Sequence, residues 1–179
     1  IVLVASSHDA CDIRFFRIDH DRIVEQNDHI KILTLYHLHK LLVSAYTSGK
    51  KLVNVIAELS KFAAQYKDQP TLAFTHFQPA QPTTVGKRAT LWLMDLVMDY
   101  EEICHVIDSL MLLGSKGTTG TQASFLELFD GDHNKCKELD RKIAEKMNFK
   151  SCFPVSGQTY ARKLDTIVCN CLGLIAQSC

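Results

Sequence analysis

Apolar residues recur at every third or fourth position over most of the chain. From Leu52 to Ala63 this spacing places them on one face of a helix, and Pro70 ends that segment. The same spacing predicts three further helices, over residues 84–113, 134–147 and 158–179. The alternation typical of strands is confined to residues 1–4 and 13–18. The pattern therefore predicts a mainly α fold.

The predicted helix over 84–113 differs from the others because apolar residues cover nearly its whole circumference. Leu96 and Ile103 lie on one side, while Leu91 and Met94 cover much of the rest. A helix of this kind is buried on most sides, in the interior of a bundle or between subunits. We therefore expect an all-α fold built as a bundle of long helices.

Composition and charge narrow the classes of protein to which this chain can belong. The 179 residues are 46% hydrophobic and 22% charged, which supplies a sizeable core and excludes a disordered tail. Lys and Arg number 20, as do Asp and Glu, and the resulting zero formal charge argues against nucleic-acid binding. No stretch approaches the roughly 18–20 apolar residues of a transmembrane helix, and residues 1–5 are too short for a signal peptide. We expect a soluble cytoplasmic protein with no membrane partner.

Seven cysteines stand at irregular intervals along the chain. No two of them form a C-x-x-C pair, the spacing that zinc ribbons and thioredoxin-like redox sites require. Reduced thiols in a cytosolic protein are therefore the expected state, and no metal site is expected. A small metal- or thiol-based sensor stays open as the weakest alternative.

The segment over residues 71–84 holds the most informative group of polar residues. Its prolines keep the backbone extended between two helices, and Thr75 and His76 lie on that stiff connection. An imidazole gains or loses a proton near neutral pH, so His76 is well placed for proton transfer. A buried His76 that hydrogen-bonds to backbone groups is an equally open interpretation.

Two further polar segments each allow a functional and a structural interpretation. Residues 115–124 combine glycines, five hydroxyls and Lys116, which suits an anion, although a turn between helices accounts for them more simply. Residues 155–163 open a predicted helix, where the amide of Gln158 suits a carboxylate. The alternative there is a Ser156 N-cap whose neighbouring basic residues are solvated.

Taken in order, three segments carry a resemblance to a known family. They are THFQPAQPTTVGKR over 75–88, SKGTTGTQASFLELFDGD over 115–132 and GQTYARK over 157–163. With these motifs, the chain from about Leu52 to Cys179 resembles the adenylosuccinate lyase family of the fumarase/aspartase superfamily. The Thr-His pair within TLAFTHFQPAQ distinguishes that family from the fumarases and the argininosuccinate lyases.

The resemblance implies an all-α homotetramer in which the central domains form one long helical bundle and three subunits build each active site. It also implies a β-elimination that releases fumarate in purine biosynthesis, from adenylosuccinate and from succinylaminoimidazolecarboxamide ribotide. By position, His76 is then the general acid that protonates the departing nitrogen, and Thr75 and Gln158 bind the purine nucleotide substrate. The resemblance implies no metal or organic cofactor.

The chain departs from the family pattern on both sides of the matching region. Residues 1–45 lack the family's Thr-Ser loop, so we expect a divergent N-terminal segment there and a partial central bundle domain over 46–179. The serine base and the phosphate-binding arginines follow the GQTY turn in the family and are absent here. The 179-residue polypeptide is therefore expected to be inactive alone. A catalytically incomplete isoform or pseudo-subunit that assembles with a full-length lyase is the alternative.

Overall fold

The computed structural model describes the backbone over residues 2–5, 13–16 and 25–179, and the side chains over 34–179. Its helices are α1 (Glu25–Gln65), α2 (Val85–Ser109), α3 (Ala123–Leu128), α4 (His133–Lys146) and α5 (Lys163–Ser178). Its strands form two antiparallel pairs, β1 (Val2–Ala5) with β2 (Ile13–Phe16) and β3 (Pro70–Thr75) with β4 (Gln78–Thr84). The described chain is therefore mainly helical, and β1 and β2 lie in the segments where alternation predicts strands.

Helix α4 matches its predicted range to within one residue at each end. It begins where it does because the Asp132 carboxylate accepts hydrogen bonds from the backbone N–H groups of Asn134 and Lys135, at 2.9 and 3.3 Å. Satisfying these otherwise unpaired groups stabilises a helix by about 1 kcal/mol. A short helix with few buried side chains thus has a sharply defined start.

Helix α2 ends at Ser109, whereas the apolar spacing predicts a helix as far as 113. The backbone leaves the helix because Leu112 pairs in parallel with Cys152, and Leu112 N donates to Ser151 O at 2.9 Å. The leucines that follow α2 are nonetheless buried. These leucines are apolar because the turn that contains them is packed into the core. The spacing of apolar residues alone does not distinguish such a turn from a helix.

The described residues form two compact units. The first unit holds Ile1–Val43 with Asp108–Thr166, and the second holds Ser44–Ile107 with Ile167–Cys179. Helix α1 runs without a break through residue 45, where the sequence predicts the end of a divergent segment. The division into segments 1–45 and 46–179 stays a prediction.

Each unit has its own apolar core. In the first unit, Leu38 and Leu110 are almost completely buried. In the second unit, Ile103 and Val106 of α2 are equally buried, and Ile103 faces Gly49 of α1. Burial of each of these large side chains contributes about 1.5–3 kcal/mol to folding.

Helix α2 buries only part of its apolar circumference. Leu96 is buried, whereas Leu91, Trp92, Met94 and Met98 are each more than half exposed. These four residues are called the α2 outer face. Isolated apolar side chains on a surface are ordinary, but a cluster of four large ones is typical of a surface that another molecule covers. No helix in the described ranges is long and apolar enough to span a membrane.

Candidate functional site

Thr75 and His76 lie at the tip of the β3–β4 hairpin. Thr75 pairs with Gln78, so His76 and Phe77 form a two-residue loop, with φ angles of 49° and 60°. Both residues thus occupy the left-handed region that a type I′ turn requires, where Asn and Gly are the favoured residues. Bulky side chains in this conformation strain the backbone by about 1–2 kcal/mol each.

The base of the hairpin is fixed to the helices on both sides. The Arg88 guanidinium of α2 donates from Nη2 to Leu72 O in β3, at 3.0 Å. Thr84 Oγ1 accepts a hydrogen bond from a backbone N–H in the first turn of α2, at 3.1 Å. Gly86 N donates to Tyr66 O, just beyond α1, at 2.9 Å. The hairpin therefore has a firm base beneath a strained tip.

The side chains at the hairpin tip face solvent. Thr75 and His76 are exposed, and Phe77 has a relative exposure of 103%. Neither the Thr75 hydroxyl nor the His76 imidazole makes a hydrogen bond with any residue that the structure describes. The interpretation of His76 as a buried histidine is therefore wrong, and its ring is available to a ligand or to another subunit.

The Ser115–Ser124 segment belongs to a pair of loops in the first unit. Residues 112–122 and 151–157 contact one another over most of their length and are called the paired loops. Phe153 N donates to Leu112 O at 2.8 Å, which continues the parallel pairing described above. The buried Lys116 ammonium donates to Leu113 O at 3.1 Å and to Phe153 O. Two of its three N–H donors thus bond to backbone carbonyls, which favours the interpretation of this segment as a turn between helices.

Asp140 of α4 holds the first of the paired loops in place. Its carboxylate accepts hydrogen bonds from Ser115 N at 2.6 Å and from Gln122 Nε2 at 3.0 Å. Gln122 Nε2 also donates to Ser115 O at 3.1 Å. The Cys152 thiol donates to Asp140 O at 3.3 Å, and burial raises the pKa of Cys152 to about 11, so the thiol stays protonated.

Gln158 is half-buried and lies between the paired loops and α5. Its side-chain amide makes no hydrogen bond with any described residue, and so keeps its donors and acceptor for a ligand. On its C-terminal side, the buried Tyr160 donates from its hydroxyl to Asp165 Oδ1 at 2.7 Å. Arg162 Nη1 donates to Asp165 Oδ2 at 3.2 Å. Burial, together with the bond to Asp165, raises the pKa of Tyr160.

The predicted start of the last helix at 158 is wrong, because α5 begins at Lys163. Ser156 does not cap a helix; its hydroxyl donates to Leu113 O at 3.4 Å instead. Tyr160 is buried, and the backbone between Gly157 and Lys163 is not helical. Gln158 therefore lies on an irregular turn and not at the N-terminus of α5.

The structure places the three predicted site residues on two elements. Thr75 and His76 are adjacent on the hairpin of the second unit, and Gln158 belongs to the first unit. Sequence reasoning missed Asp140, which resembles any other charge on a surface helix, because its partners lie 25 and 18 residues away. Among the residues with described side chains, no three His, Cys, Asp or Glu groups converge as metal ligands would.

Comparison with known proteins identifies relatives over most of the chain. A family model described as lyase matches residues 27–168. The adenylosuccinate lyase of Schizosaccharomyces pombe is 56% identical over 115 residues, which cover 64% of this chain and 24% of that protein. The adenylosuccinate lyase of Schistosoma mansoni is 43% identical over 126 residues, which cover 70% of this chain and 26% of that protein. The chain thus spans about a quarter of the length of the curated relatives it matches.

A solved structure supports the fold. The fumarate lyase from Mesorhizobium sp. BNC1 superimposes with a TM-score of 0.64 at 20% identity, covering 87% of this chain and 34% of that one. At this identity the likeness concerns the arrangement of helices alone. Because the family model covers most of the chain and the sequence relatives agree with it, the chain belongs to the lyase family, and its relatives within that family are adenylosuccinate lyases.

Proposed function

We propose that this chain supplies part of the active site of an adenylosuccinate lyase. The reaction releases fumarate from adenylosuccinate, and from succinylaminoimidazolecarboxamide ribotide, in purine biosynthesis. The observation that supports this proposal most is the exposed His76 imidazole, held at the tip of a firmly based hairpin in a segment on which the family resemblance rests. A general acid must reach the atom that it protonates, and an exposed ring on such a support meets that requirement.

His76 acts as the general acid in this proposal. A base removes a proton from the carbon β to the substrate nitrogen, the electron pair forms the carbon–carbon double bond of fumarate, and the carbon–nitrogen bond breaks. The nitrogen takes up a proton as the bond breaks, and a protonated imidazole delivers it. No residue of this chain is assigned as the base.

Thr75 and Gln158 bind the succinyl part of the substrate in this proposal. The succinyl carboxylates are already charged in the bound substrate, and the one next to the carbon that loses its proton gains further charge, so donors held in place beforehand contribute to substrate binding and lower the barrier. The Thr75 hydroxyl and the Gln158 amide suit this role because neither is committed to a partner in the part of the chain that the structure describes. Both are neutral donors, which bind a carboxylate without forming a rigid ion pair.

The same proposal includes assembly into a cytoplasmic homotetramer with shared active sites. The α2 outer face supports assembly, because burial of its four large exposed apolar side chains against another subunit would remove apolar surface from water. The exposed hairpin tip supports a shared site, because its functional groups point away from their own core. The described cysteines are all free thiols, which is typical of a reducing compartment.

A mixing experiment tests the role of His76. The 179-residue chain is mixed with the Schizosaccharomyces pombe lyase in which the histidine aligned with His76 is replaced by alanine, and fumarate release from adenylosuccinate is followed. We expect the mixture to recover activity and each component alone to release negligible fumarate. A His76→Ala chain should restore about 10²–10⁴-fold less activity, the usual contribution of a positioned acid. Equal recovery with both chains would refute the role of His76.

The second candidate function is that of a non-catalytic subunit that assembles with a full-length lyase. The α2 outer face favours it, because that surface promotes assembly whatever the fate of the active site. Light scattering on the same mixtures separates the two functions. Mixed oligomers without recovered activity support the non-catalytic subunit, whereas mixed oligomers with activity support the shared active site.

A further inference from the structure

Gly120 lies against the backbone that immediately precedes Gln158. A Cβ at residue 120 would overlap the carbonyl oxygen of Ser156 and would lie 2.9 Å from the Ser156 carbonyl carbon and 3.1 Å from Gly157 Cα. Such contacts are closer than side chains tolerate, and the atoms met are backbone atoms that cannot swing aside. The two loops therefore reach this separation only because residue 120 has no side chain.

The close contact is one of several that fix the same turn. Lys116 bridges Leu113 O and Phe153 O, and the Ser156 hydroxyl donates to Leu113 O. Beyond Gln158, the buried Tyr160 bonds to Asp165 in the first turn of α5. Gln158 thus has a side chain with no hydrogen bond to a described residue, on a short segment that is held on both sides.

We propose that the paired loops position Gln158 for substrate, and that Gly120 is the positioning residue that permits their contact. The proposal rests on the proposed function, in which the Gln158 amide binds a substrate carboxylate. A side chain at residue 120 displaces the Ser156–Gly157 peptide and carries the amide away from the carboxylate. Since a hydrogen bond weakens steeply with distance and angle, a small displacement weakens substrate binding.

Gly131 provides a matched control for substitution of Gly120. The two glycines have nearly equal φ angles, +82° at Gly120 and +83° at Gly131, but a Cβ at Gly131 would meet nothing within 4 Å. Gly120→Ala and Gly131→Ala therefore share the same backbone strain, and only the first introduces a clash. Any effect specific to Gly120→Ala comes from the contact with the second loop.

The first measurement is the ¹H–¹⁵N spectrum of the 179-residue chain, including the side-chain amide of Gln158. We expect Gly120→Ala to shift the backbone signals of residues 156–159 and the Gln158 side-chain signals, and Gly131→Ala to leave them in place. Unchanged signals in Gly120→Ala, or equal shifts in both variants, would overturn the proposal.

The second measurement is activity supplied by Gln158. The chain is mixed with the Schizosaccharomyces pombe lyase in which the glutamine aligned with Gln158 is replaced by alanine. We expect Gly120→Ala to raise KM about tenfold towards the value of a Gln158→Ala chain, with a smaller change in kcat, and Gly131→Ala to leave both unchanged. Equal KM values for the two glycine variants would count against positioning.

Two further outcomes distinguish a failure of the positioning proposal from a failure of the proposed lyase function. If the wild-type chain restores no activity, the proposed function fails, and the amide signals still decide whether Gly120 positions the turn. If Gly120→Ala does not fold, Lys116→Met replaces it, because it keeps the aliphatic part of the side chain and removes the ammonium that bonds to Leu113 O in its own loop and to Phe153 O in the other loop. Unchanged Gln158 signals and KM in Lys116→Met would overturn the proposal.

Discussion

The hairpin tip carries Thr75 and His76, and the turn that follows the paired loops carries Gln158; the two regions are built in opposite ways. The tip is a local structure. Thr75 is the last residue of β3, His76 is the first residue of the two-residue turn that follows, and both side chains face solvent. The paired loops are built from residues far apart in sequence, whose polar groups bond to one another around Lys116 and Asp140. The functional groups at the tip make no hydrogen bond among the described residues, whereas Gln158 follows a loop whose backbone is held by these contacts.

In the proposed function, the two regions divide proton transfer, at His76, from substrate binding by Gln158. A group that transfers a proton must be accessible, so it tolerates few partners of its own. A group that binds a carboxylate gains from a rigid support, so its neighbours are committed to the scaffold. Substitutions in the paired loops should therefore affect folding strongly, and substitutions at the tip should affect it little.

The largest effect is expected for Asp140→Ala. This change leaves Ser115 N and the Gln122 amide without their acceptor in a half-buried place, and should lower the free energy of unfolding by about 2–3 kcal/mol. Urea unfolding of the 179-residue chain measures it. Glu145→Ala, on the same helix but exposed, is the control and should change stability by less than about 0.5 kcal/mol. Equal losses of stability in Asp140→Ala and Glu145→Ala would contradict the role of Asp140 in holding the first of the paired loops.

A smaller effect of opposite sign is expected for Phe77→Gly. Glycine adopts the left-handed conformation without strain, and the Phe77 ring buries no surface that would be lost. We expect unfolding free energy to rise by about 0.5–1 kcal/mol, measured by urea unfolding. Phe77→Ala keeps the strain and should show no such gain. A loss of stability in Phe77→Gly would show that the ring packs against something and that the tip is not independent.

The smallest change in stability is expected for substitution of Glu138, an exposed residue of α4, and this change depends on pH. Hydrogen bonding from Arg141 lowers the pKa of Glu138 from 4.5 to about 2. Because the folded value is the lower one, this pair stabilises the fold at pH values above 4.5 and stops doing so as the pH falls through about 2. Glu138→Gln should therefore lower the urea midpoint slightly at neutral pH, since both groups are exposed. The difference in urea midpoint between Glu138→Gln and wild type should shrink as the pH falls from 4.5 to about 2. A difference that stays constant over this range would contradict the stabilisation of the Glu138 carboxylate by Arg141.

Local signals account for what the sequence predicts well. Helix α4 has a cap residue and charged and apolar faces within its own span, so its bounds are predictable to within one residue. The extended backbone of residues 71–84 follows from its prolines, and the structure forms it into a hairpin. The polar segments themselves point to Thr75, His76 and Gln158, whereas their specific roles come from the family resemblance and stay predictions.

Long-range contacts account for what the sequence does not predict. Nothing near Asp140 in sequence shows that its carboxylate bonds to residues 115 and 122. The burial of Tyr160, on the irregular turn before α5, likewise depends on a core that periodicity cannot show. The turn at His76 and Phe77 lacks the Asn-Gly sequence that normally marks a type I′ turn, so no local signal reports its strain.

The prolines of β4 also bear on how an exposed hairpin stays soluble. Pro79 lies opposite Phe74 and Pro82 opposite Leu72, and neither nitrogen carries a hydrogen. A third strand that approached β4 would find fewer donors than an ordinary strand offers, and rigid rings in its way. The hairpin can thus remain exposed to water without recruiting the edge strands of other copies into a growing fibre.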